Sequence, residues 1–418
     1  MQFRRFEAFI RNMKTILYIF TSGRRTRLEA LTNGEESPSE FLFGLPYLRA
    51  QGYHVDMLEM DELPYDEKDP LYQSLYQENA ELSEHLPWKC HSHLFANYLD
   101  RLNQYDVLIA GNENVAFALA DCRRRRLVKT PMLFFVMGAL AKLPKVKSLH
   151  RCRELLKQKP SPSLQELLQS LYPYNKSYKA ARVYYQALLE SSLAAIFIGE
   201  GEYHYGLQHF KGFQEKCLFL PFCIDANFWR PIDDKRQDTS RPYVLFMGKD
   251  QNRDFKLAVK IARRLPDIHF KFVTRCIPAK KARPHIEIIA GEWKEMLLTD
   301  CEIRDIVQRC SLVILPLKPT LQPSGQSVAL QAMACAKPVV ITKTRGFWEP
   351  NVFIHNQHLR FMTTDKLTAW CQEVTRLLHD RETATRLGRN ARKLVEEHSS
   401  LQQFGKHLES IIHRTLSQ

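Results

Sequence analysis

Two short stretches of this 418-residue chain hold residue types that could grip a diphosphate. The first is Val244-Leu-Phe-Met-Gly248-Lys249-Asp250-Gln251-Asn252-Arg253-Asp254. It reads as a strand running into a glycine turn with two cations. Gly248 lets backbone come close to a ligand. Lys249 offers a point charge and Arg253 a bidentate fork, so the pair suits a pyrophosphate. Two solvated surface cations would also fit these few residues. The second stretch, Pro316 to Thr342, reads PLKPTLQPSGQSVALQAMACAKPVVIT. A buried strand ends at Pro316. A small-residue loop, Ser324-Gly325-Gln326-Ser327, then opens an Ala-rich helix, and a second buried strand follows. Free amides and the positive dipole end at such a helix start attract an anion. Gln331 lies four residues after Ser327 on the same helix face and could bond a sugar or ribose hydroxyl. A helix cap with a surface amide is the plainer alternative.

Other groups follow strand ends in the first half. Gly23 and the pair Arg24-Arg25 come after Phe20, Asn112 and Glu113 after Ala110, Gly138 after Val136, and His204, within EGEYH, after Ile198. Glu113 could orient or deprotonate an acceptor hydroxyl, or it is a solvated loop carboxylate. His204 is a candidate base, or simply an exposed histidine. Between the halves, Leu220 to Pro231 (LPFCIDANFWRP) is a turn rich in apolar anchors that could fix a domain joint. No D-x-D pair sits at a strand end and no C-x-x-C pair occurs, so no metal site is expected.

The elements that must position these groups alternate. In the first half, Thr15 to Phe20, His54 to Glu59, Asp106 to Ala110, Pro131 to Val136, Leu193 to Ile198 and Leu218 to Pro221 read as short buried strands. A helix is predicted after the capping pattern Ser37-Pro38-Ser39-Glu40, carrying Phe41, Leu42, Leu45 and Leu48 inward. Residues 141–193 break the rhythm, and most of this stretch after Lys159-Pro160-Ser161-Pro162 reads as helical. The polar run 232–241 (IDDKRQDTSR) is the best linker. A second alternating unit follows: strands at Tyr243 to Met247, His269 to Val273, Ile286 to Ile289, Leu312 to Pro316 and Pro338 to Thr342. Helices are predicted at Phe255 to Leu265, Glu302 to Cys310 and Ser327 to Ala334, and again from Thr364 to about Ser417. The fold class is α/β, with two Rossmann-like domains facing across a cleft and ligands at the carboxyl ends of the strands.

Composition narrows the class. With 44% hydrophobic and 25% charged residues the chain is an ordinary globular one, not disordered, collagen-like or a mini-protein. Sixty lysines and arginines against 46 acidic residues give a formal charge of +14, which suits a phosphorylated ligand, an anionic membrane face or nucleic acid. Nucleic acid is the poorest of these, because no helix-turn-helix or zinc-finger spacing stands out. The ten cysteines are scattered singly and read as reduced thiols of a cytoplasmic protein. No apolar run is long enough to span a bilayer, and the opening MQFRRFEAFIRNMK lacks the h-region of a signal peptide. Phe3, Phe6, Phe9, Ile10 and Met13 recur at helical spacing among Arg4, Arg5 and Arg11, as in an interfacial helix or a frayed extension. Arg123 to Arg126, Lys129 and the basic stretch 141–159 could lie against an inner membrane face, each cation contributing about 1 kcal/mol.

The ordered segments resemble the GT-B glycosyltransferases of family 4, the group 1 glycosyl transferase type. The family's interdomain segment, roughly P-x-G-V-D-x-x-x-F-x-P, is similar to Pro221, Ile224, Asp225, Phe228 or Trp229, and Pro231. Its strand-Gly-basic loop is matched at Gly248, Lys249 and Arg253. Its E-G-F-G-x-x-x-x-E-A-M-A-x-G-x-P-V-V signature is matched at Gly325, Ala332, Met333, Ala334, Lys337, Pro338, Val339 and Val340. Leu387-Gly388 with Ala391-Arg392 fits its late helix. Over the first half, only the Gly23 loop and the strand order fit.

The resemblance implies an acceptor-binding domain over 1–220, a nucleotide-sugar-binding domain over 221–395 and a last helix over 396–418 that crosses back to the first domain. It implies a retaining transfer of a sugar from a nucleotide-sugar donor to a glycan or lipid-linked acceptor in cell-envelope polysaccharide or glycolipid synthesis. No metal or resident cofactor is needed. Gly248, Lys249, Arg253, Ser324, Gly325, Gln326, Ser327 and Gln331 would hold the donor. Lys249, Arg253 and Glu113 would act in catalysis. Gly23, Arg24, Asn112, Gly138 and His204 would face the acceptor. The family's two signature glutamates fall here on Pro323 and Gln331, neither of which can supply a negative charge. A nucleotide-sugar or glycan-binding protein without catalysis, and a membrane-surface scaffold, are therefore the competing expectations.

Overall fold

The computed structural model describes residues 14–86, 88–142, 179–232, 242–289 and 298–417. The first half begins with Thr15–Phe20 (β1), TILYIF, buried from its second residue on. It continues through Arg25–Thr32 (α1), Leu45–Ala50 (α2), His54–Glu59 (β2), Pro70–His85 (α3), Val107–Ala110 (β3), Glu113–Arg124 (α4), Met132–Val136 (β4), a helix over 179–190 (α5), Ala194–Phe197 (β5), Glu200–His209 (α6) and Cys217–Phe219 (β6). The strands pair in parallel in the order β2-β1-β3-β4-β5-β6. Runs such as VLIA in β3 and MLFFV in β4 are buried throughout, as a sheet covered by helices on both faces requires.

The second half repeats the plan. Tyr243–Met247 (β7), Phe255–Arg264 (α7), His269–Val273 (β8), Ile286–Ile289 (β9), Asp300–Arg309 (α8), Leu312–Leu315 (β10), Gln326–Ala334 (α9), Val339–Thr342 (β11) and Arg360–Met362 (β12) form a lobe. Its parallel sheet has the order β12-β11-β10-β7-β8-β9. Leu367–His379 (α10), Arg381–His398 (α11) and Leu401–Leu416 (α12) end the chain. In each sheet the strand order turns back beside the lobe's first strand, between β1 and β3 and between β7 and β10. Loops leaving adjacent strands diverge there and open a crevice.

Most strand positions agree with the sequence pattern to within a residue or two; the differences are local. The helix expected after Ser37 is broken. A turn at Glu40–Leu42 stops at Phe43 and Gly44, both left-handed (φ 47° and 80°), before α2 begins. Tertiary packing holds Phe43 there: its ring meets Phe20, Phe135, Phe222 and Phe404, and its carbonyl accepts from Tyr18 Oη at 2.9 Å. Conversely, α1 forms where the pattern showed only a loop. Its first amides are satisfied from another strand: Glu59 Oε1, at the end of β2, accepts from Arg24 N (2.5 Å) and Arg25 N (3.3 Å). The three-residue β12 had no legible signal.

The arginine run 123–126 is partly engaged within the lobe. Arg123 donates to the carbonyls of Ser191, Lys129 and Thr130, and Arg124 and Arg125 pair with the buried Asp121. Arg125 also reaches Glu78. Arg123 and Arg125 close α4 onto its neighbours, while Arg124 and Arg126 stay exposed. Residues 1–13, the stretch 143–178 that carries most of the basic cluster and the linker stretch 233–241 lie outside the described residues. Among the described residues no helix is long and apolar enough to cross a membrane.

The joint between the lobes is built on residues 220–231. Asp225 Oδ2 accepts from Ser39 N and Oγ of the first lobe (3.2 and 3.0 Å). The buried Trp229 donates its indole N–H to Glu40 Oε1 at 2.9 Å. Arg392 of α11 donates to the carbonyl of Trp229, and Ile224 N to that of Ser399. The last helix, α12, then lies against α2. Gly405 leaves room for the Tyr47 ring, and Tyr53 Oη donates to Glu409 Oε1 at 3.1 Å.

Glu40 is fully buried and its Oε2 has no hydrogen-bond partner. Burial raises its carboxyl from 4.5 to about 7, with the nearby Arg27 charge and the Trp229 bond opposing only in part. A raised carboxyl favours folding while protonated, so its contribution is complete below the unfolded value and is lost as pH rises through 7. Glu40→Gln keeps an acceptor for Trp229 without a charge. Between about pH 4.5 and 7, melting curves should show the variant losing less stability than wild type, by up to roughly 3 kcal/mol in total. Parallel curves for the two proteins would contradict the burial argument.

Candidate active site

A cavity of about 440 Å³ opens between the lobes. The first lobe lines it with Thr21, Ser22, Gly23 and Arg24 after β1, Thr26 and Arg27 of α1, and Phe41. The second lobe contributes Gly248, Lys249, Asp250 and Arg253 after β7, Thr274 after β8, Asp300 and Ile303 of α8, and Ser327, Val328 and Gln331 of α9. Trp229 of the joint completes the wall. Thus the carboxyl ends of β1 and β7, each beside its sheet's crevice, face one space.

Arg253 is the most constrained group here. Its residue is 2% exposed, and burial lowers its pKa, with the Asp250 charge opposing. Nε lies 3.1 Å from Asp250 Oδ2, and neither Nε nor Nη1 has an aligned hydrogen-bond partner. Two glycines enclose the guanidinium. A Cβ on Gly248 (φ 129°) would stand 2.6 Å from Nε, and one on Gly325 (φ 86°) 2.7 Å from Nη1. Only glycine fits either side, in both space and backbone conformation. Gly325 is also the N-cap of α9, and no side chain caps that helix. Its first-turn amides have no intrahelical carbonyl, so they and the dipole favour an anion near Ser327. A buried fork, a lysine and a helix start on one cavity wall are suited to a diphosphate.

Of the residues proposed from sequence, the cavity gathers Gly23, Arg24, Gly248, Lys249, Arg253, Ser327 and Gln331. Burial pushes Arg24 down to about 10. The others lie elsewhere. Glu113 is buried, and its Oε1 accepts from the amides of Met137 and Ala139 (2.6 and 2.8 Å). Burial raises its pKa against those bonds. It holds the loop after β4 and does not line the cavity, which corrects its expected role as a base. Asn112 caps α4 through Asn114 N and Val115 N. His204 is exposed on α6, 3.2 Å from Glu200, outside the cavity lining. Gly138 (φ 130°) is packed against Gln322, whose Nε2 donates to Met137 O across the lobes at 3.0 Å. Ser324 Oγ accepts from Asn252, and Gln326 Nε2 donates to Ile198 O of the first lobe at 3.1 Å. Those two side chains fasten loops, and of this helix start Ser327 and Gln331 line the cavity.

Sequence reasoning missed Arg27 and Asp300. Arg27 Nε and Nη2 donate to Asp300 Oδ2 and Oδ1 (2.6 and 2.5 Å), joining α1 to α8 across the cavity. The capping box Thr299–Glu302 that starts α8 is local and legible. The pairing of Asp300 with a residue 273 positions away is not. Asp250 and Asp300 are the carboxylates lining the cavity among the described residues, and each is paired with an arginine.

Residues 241–380 match the family model described as Glycosyl transferases group 1. The match spans about a third of the chain and falls within the downstream lobe, to which the likeness belongs. The fold of the whole chain is shared with HepE of Anabaena, solved in complex with UDP-glucose. That match has 12% identity and a TM-score of 0.64, covering 96% of this chain and 100% of that one. It is shared too with sucrose-phosphate synthase from Thermosynechococcus elongatus, at 15% identity and a TM-score of 0.60, covering 97% and 99%. A TarM mutant of S. aureus, in complex with Fondaparinux, alpha-GlcNAc-glycerol and UDP, is similar at 10% identity and a TM-score of 0.53, covering 78% of this chain and 59% of that one. At these identities the likeness establishes the GT-B architecture of two α/β lobes. A comparison with curated proteins gave no match.

If the glycine slot positions the guanidinium, Gly248→Ala and Arg253→Lys should both abolish the thermal stabilisation given by a nucleotide-sugar. At 100 times Kd, that stabilisation is worth about 2.7 kcal/mol in wild type. A full shift retained in both variants would place the diphosphate elsewhere.

Proposed function

We propose that this glycosyltransferase transfers a sugar from a nucleotide-sugar, with UDP-glucose the first donor to test, to a glycan or lipid-linked acceptor of the cell envelope. The buried Arg253 fork, open to the cavity beside Lys249 and the start of α9, carries this reading. The cations and the helix dipole neutralise the leaving diphosphate, so the reaction proceeds without a metal ion. Gln331 bonds ribose hydroxyls from α9. HepE with UDP-glucose and TarM with UDP and alpha-GlcNAc-glycerol support this choice of donor and acceptor classes.

In the proposed step, an acceptor hydroxyl oxygen bonds to the anomeric carbon as that carbon's bond to the phosphate oxygen breaks. The acceptor's proton passes to the departing phosphate, and the products are a glycoside and a nucleoside diphosphate. Attack on the face the phosphate leaves retains configuration. The carboxylates lining the cavity are both engaged by arginines, so the donor's own phosphate is the better proton acceptor.

Purified protein incubated with UDP-, GDP- and ADP-sugars should transfer or hydrolyse at least one of them. Lys249→Ala and Arg253→Lys should each lower kcat by about 10²–10³. Wild-type protein that neither binds nor turns over any of the three classes would refute the proposal.

A further inference from the structure

An aromatic cluster stands on the first lobe, outside the cavity lining. Tyr65 and Tyr76 are each 54% exposed, two of the few large apolar side chains that stand out in solvent among the described residues. Both rings stack on Tyr72, which is buried between them. Tyr65 to Tyr72 is 5.6 Å at 12°, and Tyr72 to Tyr76 is 6.1 Å at 11°. The row is braced from one side: His93 meets Tyr72 and Tyr76 edge-on at 5.3 and 5.2 Å, and His91 adjoins His93 at 5.7 Å. Burial pushes His93 down to about 4, so the brace is uncharged at neutral pH. The helix spacing of Tyr72 and Tyr76, four apart on α3, places the two rings on one face.

Position and charge say what this surface suits. Tyr65 follows β2 at the carboxyl edge of the first sheet, the edge that carries the cavity loops. Two ties connect its loop to the cavity's rim: Glu62 pairs with Arg25, and Glu59 holds the amide of the cavity-lining Arg24. The loop 59–69, EMDELPYDEKD, sets six carboxylates against one lysine in a chain that is otherwise strongly basic. Such a collar repels phosphodiester chains and anionic bilayers. A neutral pyranose meets no such penalty. Its C–H face carries partial positive charge and lies well on the negative face of an aromatic ring. Rigid tyrosines also lose little entropy on contact.

We propose that Tyr65 and Tyr76, stacked on Tyr72, form a docking surface for a neutral oligosaccharide, an outer subsite that holds an extended glycan acceptor at the rim of the transfer cavity. The inference rests on the glycosyltransferase reading and adds the chemical class of the acceptor. Neither tyrosine lines the cavity, so a single sugar held there does not touch them, and the protein is expected to prefer longer neutral acceptors.

The test uses the full-length protein. Saturation-transfer NMR is run with neutral hexasaccharides of glucose, mannose and N-acetylglucosamine. Polyuridylate and phosphatidylglycerol vesicles form the other arms. At least one hexasaccharide should bind, and the double substitution Tyr65→Ala/Tyr76→Ala should weaken it by about tenfold or more, the loss of two stacking faces. Tyr65→Phe/Tyr76→Phe keeps the faces and should bind like wild type. Thermal shift by UDP-glucose should be equal in all three proteins, which reports an intact fold and donor site. The proposal is overturned if no neutral hexasaccharide binds, if the alanine variant binds as well as wild type, or if the variant loses only polyuridylate or vesicles. If UDP-glucose gives wild type no shift, the GDP- or ADP-sugar that does takes its place; a missing shift with all three counts against the glycosyltransferase reading, while glycan capture is scored separately.

Discussion

A guanidinium held out of water between two glycines is the constraint around which the second lobe is arranged. Burying an ion costs several kcal/mol even after the protein relaxes. Asp250 offsets part of that cost, and the backbone fixes the rest of the geometry. Arg253 N donates to Asp250 O, Asp254 N donates to Pro316 O, and Arg253 bridges to Leu317 at the end of β10. The loop after β7 is thereby stitched to the loop after β10, across the crevice where the strand order turns back. The charge is in place before any ligand arrives, which is how a preorganised site avoids reorganisation during reaction.

The lobes meet through interactions of two kinds. At one end of the cleft they are side-chain amides on backbone carbonyls, Gln322 to Met137 and Gln326 to Ile198, with Gly138, Gly199 and Gly201 allowing close approach. Each such bond nets on the order of 1 kcal/mol. At the other end they are ion pairs: Arg27 with Asp300, and Arg304 and Arg230 with Glu36. The exposed Glu36 pairs contribute little, whereas Arg27 and Asp300 are largely screened from solvent. Arg27 and Asp300 themselves line the cavity.

The departures from the family's glutamate pattern gain a structural context. Pro323 stands where the first glutamate would, and it is packed against Gly199 of the first lobe, so that position serves lobe contact. Gln331 stands at the second and does line the cavity. A neutral amide there can bond hydroxyls but adds no charge. The positive end of the site is therefore balanced by Asp250 and Asp300 alone among the lining residues.

Periodicity and composition by themselves determined the two parallel α/β lobes, because buried strands such as MLFFV and LVIL and the helices between them are written in local apolar runs. The glycine turn at Gly248, the cations Lys249 and Arg253, and the helix start at Ser327 were legible for the same reason: each is a short motif whose chemistry depends on near neighbours. Tertiary structure alone decided what distant residues do to one another. It capped α1 with Glu59, broke the helix after Ser37 at Phe43, turned Glu113 into a brace for the β4 loop, tied Arg123 and Arg125 to neighbouring groups and brought Arg27 to Asp300. Those outcomes rest on hydrogen bonds and ring packing between segments dozens to hundreds of residues apart, and no local pattern encodes which distant partner will satisfy a buried polar group.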